Sequence, residues 1–158
     1  LSGIMAEREC TGIKESGVYC YLKHFAVSEG GKNPTQVNTW LTEQTLREIY
    51  LKAFEIIVKD YDVWSIMTSY NIINGHRASE NADMLNGILR QEWGYEGMVT
   101  TDWWTMGEHY KECAAGNDVK MGCGYPERLL EAMEKGALTR EQMELAAKHI
   151  LGLILKLD

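Results

Sequence analysis

The chain has 158 residues, 45% of them hydrophobic, which is enough for one domain with a buried core. A formal charge of −7 excludes a general binder of nucleic acid or of anionic membranes, since such proteins carry an excess of Lys and Arg. No apolar run reaches the roughly 18 residues that span a bilayer, so no membrane partner is expected and the expected compartment is the cytoplasm.

The chain begins at Leu1 without a signal peptide, as a fragment or a processed chain would. Residues 2–15 are predicted helical, closing near Gly17. Val18 to Lys23 has the β-branched and aromatic content of a strand. A polar loop runs from His24 to about Asn38. Leu46, Ile49, Tyr50, Ala53, Phe54 and Ile57 recur at helical spacing and predict a helix over 43–59. Trp64 to Ser69 is the next strand, with a loop from Tyr70 to Glu80 after it. Asn81 can cap a helix carrying Met84, Leu85, Ile88 and Leu89, and Gly94 can end it. Gly97 to Thr101 is a third strand, followed by a helix over 106–115. Asp118 to Met121 is expected as a fourth strand. Helices over 126–135 and 140–156 close the chain, and Thr139 and Gln142 have capping-box spacing.

Strand and helix thus alternate four times behind a leading helix. Such alternation implies an α/β fold, a parallel sheet with helices packed outside it. Polar candidates fall at the strand ends: Lys23 and His24, then Tyr70 and Asn71, then Asp102. Sites at the C-terminal ends of parallel strands suit both a (β/α)8 barrel and an open doubly wound sheet. Four βα units are half of such a barrel, and periodicity alone does not separate that from a small open sheet.

Cys10, Cys20, Cys113 and Cys123 show no C-x-x-C spacing, and His24, His76, His109 and His149 form no H-x-x-x-H pair. No metal site is signalled, and free thiols in a reducing compartment are expected. Asp102 carries the most chemistry. It ends a buried strand and is followed by Trp103 and Trp104. A carboxylate can attack or stabilise an anomeric carbon, while indole rings offer flat apolar faces to a pyranose. An Asp in this place also serves as a simple helix cap. Trp40, Trp64 and Trp93 are expected in core contacts, and Trp104 in packing.

Several runs resemble glycoside hydrolase family 3 in order and spacing. They are Lys23-His24-Phe25, Thr45 to Lys52, Ser69-Tyr70-Asn71 with Ile73-Asn74-Gly75, Ile88-Leu89-Arg90 with Glu92-Trp93-Gly94, Thr101-Asp102-Trp103 and Ala115 to Met121. The resemblance implies a retaining exo-glycosidase of β-glucosidase type, acting on a small carbohydrate substrate, a β-glycoside. It implies Asp102 as nucleophile, Lys23 and His24 as donors to sugar hydroxyls, Tyr70 beside the nucleophile and Trp103 at the subsite entrance. No metal or organic cofactor is implied.

The resemblance also implies what this stretch lacks. Residues 1–158 correspond to one partial domain, the second half of the family's catalytic (β/α)8 barrel. The first half of the barrel, and the later domain that brings the acid/base glutamate, fall outside it. The stretch Glu29-Gly30-Gly31-Lys32-Asn33-Pro34 departs from the family, with Pro34 near the place of an arginine. Glu29, Glu80 and Glu108 follow strands, and none is singled out as the second carboxyl. Little or no turnover is expected of these residues alone. A half-barrel leaves strand edges and apolar faces uncovered, so a homodimer or an aggregation-prone monomer is expected. The same residues allow a non-catalytic self-associating scaffold with weak carbohydrate binding, or a barrel lyase using Lys23 as a Schiff-base amine.

Overall fold

Short apolar strands alternate with amphipathic helices, and the outcome is a parallel sheet with helices packed against it. The computed structural model describes residues 1–28 and 33–158. In chain order run helix α1 (Ser2–Glu15), strand β1 (Tyr21–Phe25), strand β2 (Asn38–Thr39) and helix α2. α2 is built from Glu43–Thr45, a wider π-wound stretch Leu46–Leu51, and Lys52–Asp60. Strands β3 (Ser65–Thr68), β4 (Ile72–Ile73) and β5 (His76–Arg77) follow, then the π-wound helix α3 (Asp83–Glu92) and strand β6 (Met98–Thr100). Helices α4 (His109–Ala115), α5 (Pro126–Glu134) and α6 (Arg140–Leu157) complete the chain.

The main sheet has the order β1-β3-β6, all parallel, with Leu22 opposite Ile66 and Ile66 opposite Val99. β3 is central, and all four of its residues are buried. Phe25 fills the space between sheet and helices, with its ring edge-on to Phe54 at 5.1 Å and to Trp93 at 6.1 Å. α1 lies against α2 closely enough that a Cβ on Gly3 would come 3.0 Å from Ala53 Cα. α3 starts where Asn81 Oδ1 accepts the Met84 N–H at 3.0 Å. It buries Met84, Leu85, Ile88 and Leu89, and ends at Gly94, whose φ of +72° suits glycine.

Three expectations are corrected. The fourth strand is only an isolated parallel bridge, Thr100 to Val119, so three βα units and a bridge replace four. The Asp118 carboxylate takes the Val99 N–H at 2.7 Å, where a strand would offer a backbone carbonyl. The first strand runs Tyr21–Phe25 instead of 18–23, which places His24 inside it. The loop over 70–80 contributes β4 and β5 to a second small sheet, β2 parallel to β4 and β4 antiparallel to β5. Its hairpin turns at Asn74 and Gly75, with φ of 49° and 86°.

Candidate active site

The C-terminal ends of β1, β3 and β6 bring the candidate residues together. Thr101 fixes the exit of β6: its N–H donates to Val119 O at 3.0 Å, and its hydroxyl accepts the Met121 N–H at 3.0 Å. Asp102 follows, 5% exposed. One carboxylate oxygen accepts the backbone N–H of Trp103 at 2.7 Å. The other lies 3.3 Å from His24 Nε2.

Tyr70 completes this group from the end of β3. Burial raises its pKa first, then the negative charge of Asp102, then the hydrogen bond between the two side chains. The phenol therefore keeps its proton and can donate it to the carboxylate. The end of β3 is held to β1 by Ser69, whose N–H donates to Phe25 O at 2.8 Å and whose hydroxyl donates to Ala26 O at 2.7 Å. The peptide bonds Lys23–His24 and Phe25–Ala26 are cis.

Lys23 shares the strand but is exposed, and makes no hydrogen bond or ion pair among the described residues. Trp103 is 46% exposed at the rim, its ring 5.9 Å from that of Trp104. Of the carboxyls considered for a second role, Glu80 accepts the Glu108 N–H at 2.8 Å, and Glu108 faces Arg128 at 3.4 Å. Glu80 is thus engaged with the backbone of Glu108, and the Glu108 carboxylate with Arg128. Glu29 and its neighbours Gly30 to Lys32 lie outside the described residues.

Sequence reasoning named Asn71 as a strand-end candidate but missed two features. Asn71 is 3% exposed, and among the described residues both polar atoms of its side chain lack a partner. No spacing rule marks such an atom. The second is a buried ion pair, Lys120 to Glu112 at 2.6 Å. Glu112 also accepts from Ser79 at 2.8 Å and Thr105 at 2.6 Å, while Lys120 donates to the carbonyls of Thr105 at 3.4 Å and Gly107 at 3.2 Å. This cluster pins the segment that leads away from Asp102, which is why α4 begins at His109 and not at residue 106.

The tryptophan expectations divide. Trp93 is in the core, at 9% exposed, but Trp40 is 73% and Trp104 65% exposed, so neither is buried in the core of the described residues. Among the described residues no group of three His, Cys, Asp or Glu is placed to hold a metal. No helix is long and apolar enough to cross a membrane.

Comparison with known proteins shows the family and the fold. The model of the glycosyl hydrolase family 3 N terminal domain matches residues 1–153. Beta-glucosidase A of Butyrivibrio fibrisolvens is 51% identical over 144 residues, covering 91% of this chain and 17% of that protein. An exo-alpha-(1->6)-L-arabinopyranosidase of Bifidobacterium breve is 36% identical over 146 residues, covering 92% of this chain and 19% of that one. The structure of beta-glucosidase 3B from Thermotoga neapolitana in complex with glycerol superposes with a TM-score of 0.92 at 35% identity, covering 98% of this chain and 23% of that one. The chain thus spans about a fifth of the length of these relatives. With residues 1–153 of its 158 matched by the family's model, the chain belongs to glycosyl hydrolase family 3.

Proposed function

We propose that residues 1–158 form the nucleophile-bearing second half of the catalytic barrel of a retaining exo-glycosidase, β-glucosidase-like in its substrate. The carrying observation is the buried Asp102 at a strand end, touched by His24, Tyr70 and the Trp103 N–H. In this reading Asp102 attacks the anomeric carbon and forms a glycosyl-enzyme through an oxocarbenium-like transition state. The Trp103 N–H and the Tyr70 hydroxyl hold the carboxylate in place. His24 and Lys23, the latter without a hydrogen bond or ion pair among the described residues, donate to sugar hydroxyls as charge develops. Trp103 lines the entrance.

Retention needs a second carboxyl about 5–5.5 Å from the first. Glu80 and Glu108 are engaged elsewhere and Glu29 lies outside the described residues, and the proposal follows the family resemblance in assigning the acid/base to a part of the protein outside residues 1–158. The substrate class is a small β-glycoside, and the sugar stays open, because the relatives include both glucosidases and an arabinopyranosidase. The four unpaired cysteines support a reducing, cytoplasmic setting.

The test is intact mass after incubation with 2-deoxy-2-fluoro-glucosyl fluoride. One sugar added to the native chain and none to Asp102→Asn is the expected result. No gain in a folded chain would favour the second reading, a non-catalytic self-associating scaffold. That reading draws on the outer edge of β1, which pairs with no strand among the described residues. A monodisperse monomer by light scattering would count against self-association.

A further inference from the structure

Trp104 is a large ring held in solvent by a rigid support. It is 65% exposed, yet its backbone sits at φ 51°, a left-handed conformation that disfavours a bulky residue. Its N–H donates to Met121 O at 3.4 Å. Its ring lies so close to Gly122 that a Cβ there would meet Trp104 Cδ1 at 2.8 Å and Nε1 at 2.9 Å. The segment beneath is anchored on both sides: Thr101 is tied to Val119 and Met121, and Thr105 and Gly107 to the buried Lys120 and Glu112. Among the described residues the ring is left 65% exposed beyond its contacts with Gly122 and Trp103. A strained backbone and a buried ion pair thus serve to present an apolar face two residues from Asp102.

We propose that Trp104 is a substrate-contacting residue, which together with Trp103 forms a two-ring platform for the leaving-group part of the glycoside. The ligand chemistry is a flat apolar face, supplied by a second pyranose or by an aryl aglycone. The two rings meet at 5.9 Å with a tilt of 48°, so they form a continuous angled surface, not two separate contacts. Rigidity matters here, because a ring already fixed loses little freedom on binding. The inference rests on the glycosidase reading above and deepens it.

The test uses the full-length protein that carries this segment. Trp104→Phe and Trp104→Gly are compared with the native protein on cellobiose, 4-nitrophenyl β-glucoside and β-glucosyl fluoride, the last having no leaving-group ring. Glycine suits the left-handed backbone, so Trp104→Gly removes the ring while holding or raising the melting temperature. The expected result is a KM raised about three- to tenfold for cellobiose, the aryl glucoside or both. Trp104→Phe should show a smaller rise, with KM for the fluoride unchanged. A larger effect on one substrate identifies sugar or aryl as the ligand. Unchanged KM on both ring-bearing substrates, with Asp102 still labelled by the fluoro-sugar, overturns this inference alone. Unchanged KM with a lowered melting temperature also overturns it, by assigning the ring to packing against another part of the protein. No hydrolysis and no label at Asp102 overturns the glycosidase reading and this inference with it.

Discussion

His149 Nδ1 lies 2.8 Å from Asp118 Oδ1, joining the last helix to the strand position beside β6. Arg90 completes the group, with one nitrogen 2.8 Å from Asp118 Oδ2 and another 3.3 Å from His149 Nε2. Arg is a donor only, so Nε2 accepts and the proton sits on Nδ1. Replacing His149 by Leu leaves an Asp118 oxygen and an Arg90 N–H short of a partner. We expect a loss of about 2 kcal/mol, seen as a lower urea midpoint with the slope unchanged.

Lys120 and Glu112 are a sharper case, because their side chains are 2% and 1% exposed. Lys120→Met alone strands a buried carboxylate and should cost about 3–5 kcal/mol. Lys120→Met combined with Glu112→Leu removes both charges and should regain most of that loss. Urea melts of the two single variants and the double variant give the coupling. A double variant no more stable than Lys120→Met would show that the pair is not the source of the effect.

Stability should decline on the alkaline side. Burial, more than neighbouring charges, pushes the Cys113 thiol from 9.0 to about 11 and Tyr61 from 10.0 to about 12. Burial likewise raises Tyr95 well above its usual value. Each group holds its proton more tightly folded than unfolded, so the folded state binds more protons once the unfolded groups begin to titrate. The contribution is fully present below pH 9 and is lost as pH rises through 11 and 12. Urea midpoints measured from pH 8 upward should be level at first and then fall. Tyr61→Phe should soften the upper part of the decline.

Asn71 invites the opposite experiment. Its buried amide has no partner among the described residues, so replacement by the similarly sized Leu removes a desolvation penalty and should be neutral or stabilising in this chain. Thermal melts check this. A loss above about 1 kcal/mol would mean that the amide does make a hydrogen bond in solution.

Much of the scaffold was legible from local rules. Asn81 and Gly94 bound α3, and Thr139 with Gln142 forms both bonds of the capping box. The placement of Asp102 at a strand end followed from the β-branched run before it. The failures share a cause, since each depends on contacts distant in sequence. Asp118-Val119-Lys120-Met121 has strand content, but Asp118 is drawn to Arg90 and Lys120 to Glu112, which leaves one bridge. Trp104 has the composition of a core residue and is exposed because the loop around it is fixed from below. The Asn74-Gly75 hairpin is a different kind of miss. That dipeptide, set between Ile72-Ile73 and His76-Arg77, is a strong turn signal and is present in the sequence.

The Tyr21 hydroxyl donates to Thr100 Oγ1 at 2.6 Å, across the whole width of β3. The two residues are 79 positions apart, and Lys23, His24 and Tyr70 lie between them, with Asp102 just beyond. The three strands that carry these residues pair only over long stretches of sequence, the arrangement that makes folding slow. The constellation around Asp102 is therefore a late product of folding. A nascent chain that has emerged only as far as Glu96 holds three of the six helices, together with Lys23, His24 and Tyr70, but not the carboxylate that these residues surround.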